Sequence, residues 1–271
     1  MGRSVAPKGF YTAAQAVKKT GIPKSTFNDM VKKGKITRIV PPNRSDGFYP
    51  KEEIDRLAKA HEAFILEYAL DTSTFELAQE DDLEELAALY RELFGGNRES
   101  RERLIQEWYN ANTEMFYVVK QDGLVVGYIA FMPLKQEAIE KIMAGLEETR
   151  FRTELLTPEY IAQFRPGEAD SLFVLIGVKQ GVKKTRLYGS RAITGGIEAL
   201  ESLAKRGIVT RKLYATSRTQ SGIHICKGMG FKQIVPAREE DNLLRFELDL
   251  EITTNPLFKD YQRFAKQAKA D

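Results

Sequence analysis

The sequence holds one cysteine, Cys226, two histidines, His61 and His224, and one tryptophan among 271 residues. A lone cysteine excludes an internal disulfide, and so few His and Cys side chains leave no material for a zinc site of the usual kind. A reducing, cytoplasmic setting and no metal are therefore expected. Long apolar runs are also missing. None approaches the ~20 consecutive residues that a membrane span requires, so no membrane partner is expected. The opening MGRSVAPKGF has no apolar stretch of the secretory type, and Ala6 stands where a myristoylation signal needs Ser or Thr.

A strong overall charge is missing too, but the net +3 hides an asymmetry. Residues 1–60 carry thirteen Lys and Arg against five Asp and Glu, a net of +8, which leaves −5 for the remainder. A basic block on a mildly acidic body fits a polyanion partner for the N-terminal part alone. A solvated lysine-rich face would have the same composition.

The order of signals in that block is more informative. Thr12 is placed to cap a helix through Ala13, Ala14 and Val17, and Gly21 to stop it. A second helix is expected from about Lys24 to Lys33. Its apolar Phe27, Met30 and Val31 share one face, while Lys24, Ser25, Asn28 and Lys32 fall largely on the other. Lys35 to Val40 reads as a strand, residues 41–47 as a turn and Phe48-Tyr49 as a return strand, together a wing. Pro50 then opens a third helix, Lys51 to about Ala69, with Ile54, Leu57, Ala58, Ile65 and Ala69 on its inner side.

Residues 10–60, YTAAQAVKKTGIPKSTFNDMVKKGKI followed by a wing and YPKEEIDRLAKA, resemble the winged helix-turn-helix of MerR-type and excisionase-type DNA-binding proteins. The resemblance implies double-stranded DNA as partner, with the second helix in the major groove. Lys24, Ser25, Thr26, Asn28 and Lys32 would then lie near bases or phosphates, and Arg38 and Arg44 on the wing would reach the backbone or minor groove. One such module makes a small interface, so a homodimer is expected. The domain is drawn over 1–70, with the polar Asp71-Thr72-Ser73-Thr74 as linker.

From residue 71 on, the pattern is a strand at Phe75–Gln79, a helix opened by Asp81 and Glu84 as a capping pair, and a second helix from about Ser100 to Asn110. A hairpin follows, Met115–Lys120 and Leu124–Met132 around Asp122-Gly123. Residues 135–151 read as helical and 158–164 as a further helical piece. Ser171 to Val178 is a continuous apolar strand, expected to be central and buried on both faces. A Gly- and Lys-rich loop leads into a helix through Ala192 to Lys205. Lys212–Ser217 is a strand, Ser221–Lys227 a short helix and Leu243–Leu250 a last strand. The fold class expected is mixed α+β.

Two local features in this order carry a second resemblance. One is the run Arg186-Leu187-Tyr188-Gly189-Ser190-Arg191-Ala192 after the apolar strand; the other is Ile225-Cys226-Lys227-Gly228-Met229-Gly230-Phe231 before the last strands. Over residues 71–252 the chain resembles the GNAT superfamily of N-acyltransferases, with an insertion at 133–170 and a helical tail at 253–271. The resemblance implies a mixed sheet flanked by helices, acetyl-CoA as co-substrate and an amine of unspecified identity as acceptor. It puts the pyrophosphate on the amides of Arg186 to Ala192, where a helix start favours an anion. The backbone N–H of Val178 would polarise the thioester. Three departures stand out: Arg191 replaces the second small residue, the loop before Arg186 is long, and Cys226 stands at the position of the family's tyrosine acid. Glu168 and Asp170, flanking the start of the apolar strand, are the candidate bases, and equally read as solvated loop residues. Cys226 is the candidate acid or a small buried hydrophobe; Tyr188 and Tyr214 are alternatives. The insertion would serve as a lid over the acceptor side or as a dimer surface. A sensor that binds an acyl-CoA or another ligand without chemistry, attached to the DNA-binding module, is the competing expectation.

Overall fold

A computed structural model describes residues 6–42, 46–69, 71–144, 157–235 and 243–269. The chain divides into two units, Met1–Asp71 and Thr72–Asp271.

In the first unit, Thr12 caps the helix α1 (Ala13–Thr20) through a reciprocal pair with Gln15, and Gly21 ends it in the left-handed conformation. The helix α2 (Lys24–Lys32) follows directly, and α3 (Lys51–Ala69) closes the unit. Ala16, Ile22, Phe27, Ile36, Tyr49 and Ile54 form the core, with Phe27 and Tyr49 edge to face at 5.3 Å. The wing departs from expectation. Lys35–Val40 does not form a strand: only Ile39 bridges Phe48, and the two-stranded sheet joins β1 (Phe10–Thr12) to β2 (Phe48–Pro50). The competing hydrogen bonds explain this. Lys35 N donates to the Met30 carbonyl, Thr37 N donates to Glu53 Oε1 at 2.9 Å, and the prolines that follow have no N–H to give. On α3, Ile54 is fully buried, but Ile65 and Ala69, expected inside, are exposed.

The second unit is a mixed α+β layer structure. Its elements are β3 (Thr74–Leu77), α4 (Leu83–Phe94), α5 (Arg98–Ala111), β4 (Phe116–Gln121), β5 (Leu124–Met132), α6 (Gln136–Ala144), β6 (Ser171–Val178), α7 (Thr185–Lys205), β7 (Lys212–Ser217), α8 (Gln220–Met229), β8 (Lys232–Val235), β9 (Leu244–Asp249) and α9 (Lys259–Ala268). Among the described residues the sheet has seven strands in the order β3-β4-β5-β6-β7-β9-β8, with β6 at the centre. Every pairing is antiparallel except β6 with β7. Asp122 and Gly123 both take positive φ, 53° and 83°, which a two-residue hairpin with the sheet's twist demands.

The faces can be read from the small residues. A Cβ added to Gly195 of α7 would stand 2.3 Å from the Phe75 ring, and one on Gly196 would meet Ile129 and Phe131. So α7 lies flat on the face carrying those side chains, and α9 packs beside it. A Cβ on Gly177 would instead meet Tyr128 and Leu93, which puts α4 on the opposite face. The insertion shares that second face: Arg245, 2% exposed, donates from Nε to the Ile142 carbonyl of α6 at 3.0 Å.

Several expected boundaries move. The cap before α4 is Gln79 with Asp82, around a single 3-10 turn at Glu80–Asp82, in place of Asp81 with Glu84. Asp82 is held there by Lys120, 2.7 Å away. The helix expected over 135–151 is described only as α6; the rest of it lies outside the described residues. Pro158–Tyr160 is one 3-10 turn, after which Ile161 bridges Leu134. The tail helix α9 buries Tyr261, whose hydroxyl donates to the Thr210 carbonyl at 2.6 Å and accepts from Thr210 N at 2.8 Å.

Candidate functional site

Parallel strands β6 and β7 are paired only over Ser171–Phe173 with Lys212–Tyr214. Beyond that point β6 continues for five residues, bonded to β5 on its other side, and β7 continues for three, bonded to β9. The two strands therefore part. The β7-facing edge of Val174–Val178 has no ladder partner in β7, so its backbone polar groups line a notch in the centre of the sheet.

The end of β6 leads to the start of α7 through a tied loop. Lys179 N donates to the Val126 carbonyl, Gln180 Nε2 to the Val178 carbonyl at 2.7 Å, and Thr185 Oγ1 to the Val182 carbonyl at 2.8 Å. The helix begins at Thr185, so the turn expected around Gly189 is already helical. Tyr188 N donates to the Lys184 carbonyl, and in an α-helix the amides that follow are spent in the same way. Thr185 N donates to the Val182 carbonyl at 3.3 Å, which leaves the amides of Lys184, Arg186 and Leu187 without a partner inside the helix. Of the residues expected to grip a diphosphate, Arg186 is exposed and Leu187 offers its backbone. Gly189, Ser190 and Arg191 are half-buried one turn further on, and Leu187, Tyr188 and Ala192 bury their side chains. Tyr188 and Ala192 pack with Val119 and Val126. Gly189 faces the end of β6, its nearest neighbour being Val178 Cγ2. The first turn of α7 contains no acidic residue, and Lys179, Lys183 and Arg186 are exposed around it. The missed helix start has a physical cause: Gly189 lowers local helix propensity in the second turn, and packing of Leu187, Tyr188 and Ala192 overrides it.

The candidate acid and bases do not gather at the notch. Glu168 and Asp170 precede β6, at the end away from the start of α7, with Asp170 about 25 Å from Val178 at ~3.3 Å per residue. Both are exposed, and Glu168 lies 3.9 Å from Arg165. Cys226 packs on α8 against Ala215 and Phe246. Burial pushes its thiol up to about 11. Tyr214 lies at the root of the notch, opposite Phe173, with burial and the neighbouring Glu247 raising its pKa. Glu247 in turn meets Lys212 Nζ at 3.1 Å. Tyr128, on β5 over Gly177, was not singled out by sequence. A glycine inside an otherwise apolar strand was the available signal, since it marks close approach by a neighbour.

On the first unit, Lys24, Ser25, Thr26, Asn28 and Lys32 are all exposed on α2, with Phe27 turned to the core. Arg38 is exposed and lies against Gly47. Arg44 lies outside the described residues. Among the described residues no helix is long and apolar enough to cross a membrane, and no three His, Cys, Asp or Glu side chains gather as metal ligands.

Neither a family model nor a curated relative matches the sequence. Among solved structures it is similar to a protein provisionally assigned as a phosphinothricin N-acetyltransferase, at 17% identity and a TM-score of 0.44, over 66% of this chain and 98% of that one. It is similar to an acetyltransferase of the GNAT family from Streptococcus pneumoniae, at 14% identity and 0.42, over 65% and 98%. A third is yncA from Salmonella typhimurium, solved with its cofactor acetyl-CoA, at 14% identity and 0.40, over 69% and 98%.

Proposed function

We propose that the second unit is an acyl-CoA-dependent N-acyltransferase and that the first unit binds double-stranded DNA. One observation carries the enzymatic reading: the parting of β6 from β7 beside the start of α7. The unpaired edge of Val174–Val178 offers alternating N–H and C=O groups to the amides of an extended pantetheine arm. The helix start at 184–187, ringed by Lys179, Lys183 and Arg186, suits the diphosphate of the same molecule. An acyl thioester would then lie against β6, with the Val178 amide or a neighbouring one as donor to its carbonyl. The amine acceptor would enter from the face covered by α4 and α6. Its proton must pass to a base, for which Glu247 is better placed than Glu168 or Asp170: it shares the Tyr214 pairing at the root of the notch.

The same observations favour a second reading at one point. No acidic side chain lies on β6 and the Cys226 thiol is buried, as expected if the unit binds acyl-CoA as a signal. The DNA reading rests on the exposed polar face of α2 and the +8 charge of residues 1–60. A homodimer would double the small footprint of one module.

Turnover of acetyl-CoA against a panel of amines, alongside a thermal-shift titration, tests both readings of the second unit. The enzymatic reading expects release of free CoA thiol together with a rising unfolding temperature. A rise without turnover supports the sensor, and no rise at millimolar acetyl-CoA sinks both.

A further inference from the structure

Tyr128 is fully buried, and its hydroxyl has no hydrogen-bond partner among the described residues. A phenylalanine would fill the same ring space without stranding a polar atom, so fold stability does not account for the hydroxyl. Its position is informative. A Cβ added to Gly177 would stand 2.4 Å from Tyr128 Cε1 and 2.9 Å from Cζ. The outer half of the ring therefore lies over β6, and the hydroxyl borne by Cζ reaches the axis of that strand or beyond it. Gly177 belongs to the stretch of β6 that β7 has left. The absence of a side chain at 177 is what lets a residue of β5 extend this far, and Leu93 of α4 closes the contact from above.

The surroundings select the ligand atom. Tyr90, 6.5 Å away ring to ring, Leu93 and the Gly177 backbone carry no charge, and the Arg101 guanidinium beyond them lies on the Tyr90 ring and donates from Nε to the Gly95 carbonyl. Burial lifts the Tyr128 pKa well above the ordinary phenol value, so the group keeps its proton and acts as a donor. A neutral acceptor is suited to such a place, since an anion would lose its hydration among apolar and aromatic contacts.

We propose that the Tyr128 hydroxyl donates a hydrogen bond to the carbonyl oxygen of the acyl group lying along the open edge of β6, and thereby distinguishes an acylated donor from free CoA. The inference rests on the acyl-CoA reading given above and adds to it a residue that reads the acyl group.

The test is equilibrium binding of acetyl-CoA and of CoA to the full chain and to Tyr128→Phe. The substitution keeps the ring, and its unfolding temperature should match or exceed that of the wild type. Acetyl-CoA affinity should fall about two- to tenfold, the size of one neutral hydrogen bond, while CoA affinity stays unchanged. Gly177→Ala, which must displace the ring, should produce the same selective loss and serves if Tyr128→Phe fails to fold. Equal losses for both ligands, or none for either, would overturn the assignment while leaving the acyl-CoA reading intact. If the wild type binds neither ligand, the acyl-CoA reading fails first and this inference with it.

Discussion

Cys226 is 8% exposed, packed between Ala215 and Phe246, with its thiol pushed up to about 11 by burial. Sequence alone left it as either proton donor or small hydrophobe, because a side chain's surroundings are set by partners far away in the chain. The packing favours the hydrophobe. Cys226→Ala should then leave acetyl-CoA turnover within about twofold and lower stability by about 1 kcal/mol, measured by denaturant unfolding. A loss of turnover beyond tenfold would restore it as the acid. The raised pKa also has a sign. Folding favours the neutral thiol, so its contribution is complete below the ordinary value near 9 and is lost as the pH rises towards about 11. Cys226→Ala should flatten the fall of unfolding temperature over that interval. A remaining slope is expected above pH 10, because Tyr261 is likewise pushed up to about 12. A curve that is identical in wild type and variant would contradict the burial argument.

Among the elements, α7 best separates what was legible from what was not. Its second half was readable because Ile197, Leu200 and Leu203 recur at helical spacing. Its first two turns were not, because Gly189, set against Val178 of β6, weakens the local signal there. The sequence pattern puts the open amides near residue 189, whereas those of Lys184, Arg186 and Leu187 lie about a turn earlier. The corrected position makes a specific claim. Reversing charge at the helix start, with Lys184→Glu and Arg186→Glu together, should weaken acetyl-CoA binding at least tenfold at low salt, with a smaller difference at 1 M salt. Isothermal titration on the folded variant gives the answer, and an unaltered affinity would mean that the diphosphate does not sit there. The wing shows the opposite kind of failure. Lys35–Val40 has strand-forming residues, yet the Thr37 amide is captured by Glu53, sixteen residues on, and β2 pairs with Phe10–Thr12.

For the molecule as a whole, the DNA-binding proposal rests on the charge asymmetry between residues 1–60 and the remainder. Fluorescence anisotropy on duplex DNA should show binding that falls steeply with salt. Lys24→Ala should lower affinity and shallow the salt slope by about one unit, whereas Asn28→Ala should lower affinity with the slope unchanged. Binding unmoved by either change would show that α2 is not the contacting helix. The sequence by itself determined the capped helix α1 of the first unit, the Asp-Gly hairpin and the apolar β6. These depend on neighbours within a few residues: a cap three positions away, a turn needing positive φ, a period of two or 3.6. Only the tertiary structure decided where β6 and β7 part, which amides remain open, and that Tyr128 spans a glycine on the adjacent strand. Those facts arise between segments tens of residues apart, where strand twist and close packing, not local preference, set the distances.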